Sequence, residues 1–492
     1  MTGRPRLSPV TLAALPPDVI RPRYDRRAIK TGVVHLGIGA FHRAHQAVVF
    51  DQLLGAGDLR WGVVGASLRS PAVRDALTPQ SGLYTLVERD GAGEQKRVIG
   101  AVKDVLVAPE NPQGLIEAMA GLDVHLVTLT VTEKGYLLNP GNGALALDHP
   151  AVAADLANPE APSTAIGIIA AALALRRTRS LPAFTAISCD NLSDNGARLG
   201  RAVVAFANVL DPALADWIGR HGAFPSTMVD RIVPATTAED TAALATSLGV
   251  VDQAMVKTEP FLQWVIEDRF AGIRPAFEDA GVQIVSSVAP WEAAKLRLLN
   301  GAHSAMAYLG GLAGLPFVHD FVGDPQRRAF IDRLWDEALA TLEPTPGLDF
   351  AAYRAALIAR FANPALNHAL RQIAADGSQK LPQRLVAPLA IRLERGLASP
   401  ALTLAIAGWV KWQSGKDDAG NGFVVDDPVA HRTKRLLSGR NDAAARVDAI
   451  LSLSEVFPEV VAANAGFRED LTRMLDGLDQ FGAVEMLGRV RS

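Results

Sequence analysis

The stretch KLRLLNGAHS, residues 295–304, sets Lys295, Asn300 and His303 in one mostly apolar run, with Glu292 three residues ahead. Read as a helix at about 100° per residue with Lys295 at 0°, Glu292, His303 and Asn300 fall at about 60°, 80° and 140°. Arg297, at about 200°, falls off that face. Such a face can activate an alcohol. A lysine taken out of water disfavours its charged form and can accept a hydroxyl proton near neutral pH. Asn300 and His303 can donate hydrogen bonds to an oxygen that becomes alkoxide-like as hydride leaves its carbon. Glu292 can relay the proton to water. The spacing K-x4-N-x2-H also fits an ordinary solvated helix face, so its meaning depends on what else the chain carries.

A partner for hydride chemistry stands near the N-terminus. Residues 32–40, GVVHLGIGA, predict a buried strand running into a glycine turn, and residues 42–54 predict a helix. The turn reads Gly37-x-Gly39-x-Phe41-His42. The first glycine permits a tight turn and the second lets backbone approach a pyrophosphate. The helix N-terminus offers unpaired N–H groups to phosphate. His42 stands where the usual third glycine would be. The next strand, residues 61–68, ends in Arg69-Ser70-Pro71, with no acid to hold the ribose hydroxyls of NAD. Arg69 can favour a 2′-phosphate, so NAD is expected as cofactor with NADP possible.

Further strands are predicted at residues 123–132 and 183–191. Their ends carry Glu133 and Lys134 in TEKGY, and Cys189, Asp190 and Asn191 in SCDN. Open α/β sheets bind ligands at that edge, and Asn191 can hold a substrate oxygen there. Cys189 reads as a small buried residue. Asp230 and Arg231 read as a structural ion pair, while Lys380 and Arg384 flank a helix break in DGSQKLPQR.

Strands alternate with helices up to about residue 285, and beyond it the pattern is helical. The expected fold is an α/β Rossmann-type domain over 1–284 and a mostly α-helical domain over 285–492. With 49% hydrophobic residues and a net charge of −3, the chain has ample core material and no basic excess for nucleic acid. Its single cysteine allows no intramolecular disulfide and no cysteine-based zinc site. The N-terminal lead lacks a signal-peptide core, and the longest apolar runs fall short of the ~20 residues that span a bilayer. A cytoplasmic enzyme with no membrane partner is expected.

Seven motifs together resemble the polyol-specific long-chain dehydrogenase/reductase family, which includes mannitol dehydrogenases and fructuronate reductases. They are GIGAFHRAH, TVTEKGY, SCDNLSDNG, FPSTMVDRIVP, EPFLQWVIEDRF, KLRLLNGAHS and DGSQKLPQR. The resemblance implies metal-independent hydride transfer between a nicotinamide and a sugar alcohol or ketose, in a protein leaning towards a monomer. It implies that Lys295 is the general base and that Asn191 and Asn300 stabilise the oxyanion. His303 would orient substrate and Glu292 would relay the proton. Asp230 and Lys380 would line the substrate site. TEKGY and DGSQKLPQR, together with Gln372 where mannitol 2-dehydrogenases tend to carry arginine, look more like the fructuronate reductase branch. An aldonate has a carboxylate that mannitol lacks, and Lys134 and Arg384 are candidate anchors for it. The expected reaction is interconversion of D-mannonate and D-fructuronate, with mannitol 2-dehydrogenase the alternative. A dinucleotide-binding sensor without catalysis is the alternative of another class; the complete Lys295, Asn300, His303 and Asn191 set argues against it.

Overall fold

A computed structural model describes residues 3–139 and 141–490; the first two residues of the basic lead lie outside the described residues. The chain divides into two compact units, Met1–Ala289 and Pro290–Ser492.

The first unit is built on five parallel strands: β1 (Thr31–Leu36), β2 (Gly62–Ser67), β3 (Val102–Val107), β4 (Leu126–Leu129) and β5 (Thr185–Ser188). Their spatial order is β3-β2-β1-β4-β5. The chain reverses direction across the sheet between β1 and β4, which makes the carboxyl end of β1 the switch point where such sheets bind ligands. Alternation along the strands divides the core. Val34, Leu36 and Val127 pack against Ile166, Ile169 and Leu173. Val33, Val63 and Ile187 pack on the other face against Val49, Phe50 and Trp264. Both faces are thus covered, which explains the near-continuous apolar runs.

Two smaller sheets complete this unit and were not legible as strand runs. One pairs Tyr84–Asp90 antiparallel with Gly93–Ile99 and parallel with Val256–Thr258. The other sets Gln263–Glu267 between Thr227–Asp230 and Gln283–Val285. The helix expected over residues 42–54 is two helices, Ala40–Ala44 and Gln46–Gly55, broken at His45. Arg231 is buried, has its ion pair with Glu88, and donates to Glu259 O at 2.8 and 3.0 Å.

The second unit is helical around one core that includes Leu298, Met306, Trp335, Leu385 and Trp409. Among the described residues no helix is long and apolar enough to cross a membrane.

Candidate active site

In the first unit, β1 ends in a turn set by hydrogen bonds. Gly37 has φ +96°, a left-handed conformation in which a Cβ would sit 2.2 Å from Thr130 O. Its N–H donates to Ala66 O at 2.8 Å, and the Thr130 hydroxyl donates to its carbonyl at 2.8 Å. A Cβ on Gly39 would meet nothing nearer than Gly37 O at 3.8 Å, so that side of the turn is open. The turn opens onto a cavity of about 430 Å³. Its wall includes Gly37, Gly39, Arg69, Thr132, Lys134 and Thr164. Thr164 is the N-cap of the helix Ala165–Thr178 and accepts from Gly167 N at 3.0 Å. An open glycine cradle and a second helix N-terminus suit a dinucleotide's pyrophosphate.

His42 explains how a residue other than glycine fits the third position. Its ring stacks on His35 of β1, centroids 3.5 Å apart, and both are buried. His35 has one tautomer that satisfies its neighbours. Nε2–H donates to Thr130 Oγ1 at 2.9 Å, and Nδ1 accepts from the Thr128 hydroxyl at 2.7 Å. Burial holds the His35 pKa down at about 3 and pushes that of His42 well below its usual value. Neither His42 nor Phe41 lines the cavity; Phe41 stacks on His45.

The unfolded histidines titrate near 6.5 and the folded His35 near 3, so the unfolded chain binds more protons between those values. Stability is expected to fall as pH drops from 6.5 towards 3, at up to about 1.4 kcal/mol per pH unit from His35 alone. Melting curves of wild type and His35→Gln over pH 4.5–7 check this: the variant should show the shallower acid slope. Gly39→Ala is expected to keep the fold and weaken NADH binding at least about 10-fold, whereas Gly37→Ala should lose roughly 1–3 kcal/mol of stability. NADH titration beside thermal melting separates the two.

The motifs at the ends of β4 and β5 are tied together by Asp190. Its carboxylate accepts from Val131 N at 3.0 Å, Thr132 N at 2.8 Å and the Tyr136 hydroxyl at 2.7 Å. Burial raises its pKa. These bonds hold Thr132 at φ +69°, unusual for a β-branched residue, on the cavity wall. Asn191 follows Asp190 directly and is exposed, so the network that fixes the turn also places Asn191. Asp230 ends its strand buried.

In the second unit, Lys295–Asn300 is a π-helical turn between the helices Ala289–Ala294 and Gly301–Leu312. Gly301 N–H donates to Leu296 O, the i→i+5 pattern. This corrects the uniform helical arc. In an i→i+5 turn Asn300 stands one turn above Lys295, closer to it in rotation than an α-helix would place it. Trp335 Nε1 donates to Leu298 O at 2.8 Å inside the widened turn. Glu292, Lys295 and Asn300 are half-buried. Arg297 leaves this face, donating to Thr341 O at 2.6 Å and its hydroxyl at 2.8 Å.

A second π-helical turn, Pro382–Val386, carries Arg384. Ala387 N–H donates to Pro382 O, the same i→i+5 pattern, and Pro382 itself has no N–H to give the preceding turn. The two turns approach closely at Gly301, whose Cβ would lie 3.1 Å from Arg384 O. Arg384 Nη1 donates to Ser304 Oγ at 3.2 Å. The adjacent His303 is buried between Phe361 and His368, ring centroids 4.9 and 5.0 Å away. Burial first, then His368, Arg360 and Arg384, holds it neutral. Its Nε2 has no hydrogen-bond partner among the described residues. Lys380 is turned towards backbone, donating to Ala375 O at 2.5 Å and Ile373 O at 3.4 Å. Burial, with Arg384 next, lowers its pKa. Ser304, His368 and Asp190 act through contacts distant in the chain, with Arg384, His303 and Tyr136, and no local spacing signals them.

The Mannitol dehydrogenase Rossmann domain family matches residues 31–279, and the Mannitol dehydrogenase C-terminal domain family matches residues 287–479. D-mannonate oxidoreductase of Escherichia coli is 42% identical over 473 residues, 95% of this chain and 97% of that protein. Mannitol 2-dehydrogenase of Pyrenophora tritici-repentis is 41% identical over 478 residues, 96% of this chain and 83% of that protein. The structure of Pseudomonas fluorescens mannitol 2-dehydrogenase, a ternary complex with NAD and D-mannitol, aligns with a TM-score of 0.84 at 37% identity. It covers 98% of this chain and 99% of that one.

Proposed function

The chain belongs to the mannitol dehydrogenase family of oxidoreductases, and from that premise we propose that it interconverts D-mannonate and D-fructuronate with NAD(P) as cofactor. Relatives named for an acidic and a neutral substrate are equally similar, so the choice between them rests on residues. The observation that carries it is Arg384. A half-buried guanidinium bonded to Ser304, next to the buried neutral His303, suits a substrate carboxylate. Lys134 lines the nucleotide cavity and Lys380 is committed to carbonyls, so Arg384 is the better anchor.

A nicotinamide cofactor held by the glycine-turn cavity would supply the hydride acceptor for carbinol oxidation and the hydride donor for ketone reduction. Lys295 accepts the hydroxyl proton as the carbon–oxygen bond gains double-bond character. Asn191 and Asn300 donate amide hydrogens to that oxygen. Glu292 passes the proton from Lys295 to water. His303 hydrogen-bonds a neighbouring hydroxyl through Nε2, and Asp230 borders the substrate. The glycine turn at Gly37 and Gly39 carries the cofactor phosphates. A neutral polyol is the second reading, favoured by the D-mannitol held in the Pseudomonas fluorescens complex. Turnover of D-fructuronate against D-fructose by the purified protein distinguishes them.

A further inference from the structure

The adenosine end of the cavity differs from one built for NAD. In a sheet of this order, a carboxylate at the end of β2 grips the ribose hydroxyl pair and repels a 2′-phosphate. Here β2 ends at Ser67 and is followed by Leu68, Arg69 and Ser70, all four on the cavity wall. No carboxylate lines the cavity, and its two charged side chains, Arg69 and Lys134, are both cations. The nearby acids Asp75 and Glu110 are engaged by Arg74, at 2.8 Å for Asp75. Arg69 is exposed and makes no ion pair or hydrogen bond among the described residues. Val73, in the first turn of the following helix Ala72–Leu77, supplies an apolar wall. A guanidinium there can take a phosphate bidentately and lie flat on an adenine ring, which a lysine could not do.

We propose that Arg69, with Ser70, forms a 2′-phosphate subsite, so that the protein binds NADP(H) at least as tightly as NAD(H). The subsite rests on the reading of this cavity as the dinucleotide site, but not on the identity of the sugar substrate. Arg69 is a specificity residue: it touches the cofactor far from the reacting carbon.

The test is equilibrium binding without sugar substrate. NADPH and NADH are titrated by fluorescence, and 2′,5′-ADP and 5′-AMP by calorimetry, into wild type, Arg69→Ala and Arg69→Asp. In wild type NADPH should bind with a Kd no higher than that of NADH, and 2′,5′-ADP more tightly than 5′-AMP. Arg69→Ala should weaken NADPH and 2′,5′-ADP about 10-fold or more while changing NADH less than about 3-fold. Arg69→Asp should reverse the preference. Wild type that binds NADH more than about 3-fold more tightly than NADPH, or an Arg69→Ala variant with an unchanged NADPH-to-NADH ratio, overturns the subsite. Because no sugar is present, NADPH binding with failure to reduce D-fructuronate would sink the substrate reading alone. Tight NADH binding without NADPH binding would sink the subsite alone, and binding of neither would sink the cavity assignment and the subsite with it.

Discussion

Lys295→Ala is expected to lower kcat for D-mannonate oxidation by about 10²–10⁴-fold while leaving the Kd of reduced cofactor unchanged. The size follows from the role. A positioned base contributes at that scale because proton removal accompanies hydride loss, and water is a poor substitute at neutral pH. The same assignment fixes the pH behaviour. In wild type, oxidation should rise with pH as the base loses its proton, and ketone reduction should fall; in Lys295→Ala both slopes should flatten. Lys295 sits in the π turn that also carries Asn300 at its far end, and Lys295→Ala is expected to leave the backbone of that turn in place. Equal melting temperatures for the two proteins would show that chemistry, not folding, was lost. A variant with near-normal kcat and an unchanged pH profile would remove Lys295 from the mechanism.

Arg384→Ala is expected to reduce kcat/KM for D-fructuronate about 10- to 150-fold, the range for a lost charge-assisted hydrogen bond, and to change kcat/KM for D-fructose by less than about 3-fold. Arg384→Lys should recover part of the loss: it keeps the charge but not the two-pronged geometry. The split between substrates is what a purely structural role cannot produce. Arg384 also donates to Ser304, so general disturbance of that contact would depress both substrates alike. Parallel losses on both sugars would make Arg384 scaffold.

Much of the first unit was legible because its signals are local. Buried parallel strands read as apolar runs: β2, β4 and β5 lie within the runs at 61–68, 123–132 and 183–191, and β1 starts one residue ahead of the run at 32–40. The glycine turn was legible for the same reason, since φ +96° at Gly37 is a demand on one residue. The hairpin Tyr84–Ile99 was not, because its partly exposed strands lack a continuous apolar stripe. The role of His42 was hidden for another reason: its stacking partner, His35, is seven residues away on a strand. The π turns were invisible to a 3.6-residue period. One extra residue per turn changes which side chains align without changing composition, so Lys295 and Asn300 looked further apart in rotation than they are. Lys134, Lys380 and Arg384 looked alike as loop cations. Only tertiary contacts separate a cavity-wall lysine from one committed to carbonyls and from an arginine beside His303.

The most direct measurement is the steady-state reduction of D-fructuronate and D-fructose by the purified protein, run side by side with NADH and with NADPH. A kcat/KM for D-fructuronate at least about 100-fold above that for D-fructose is expected from a carboxylate held by a dedicated guanidinium. Equal or reversed preference would contradict the acidic-substrate assignment and return the protein to the neutral polyols.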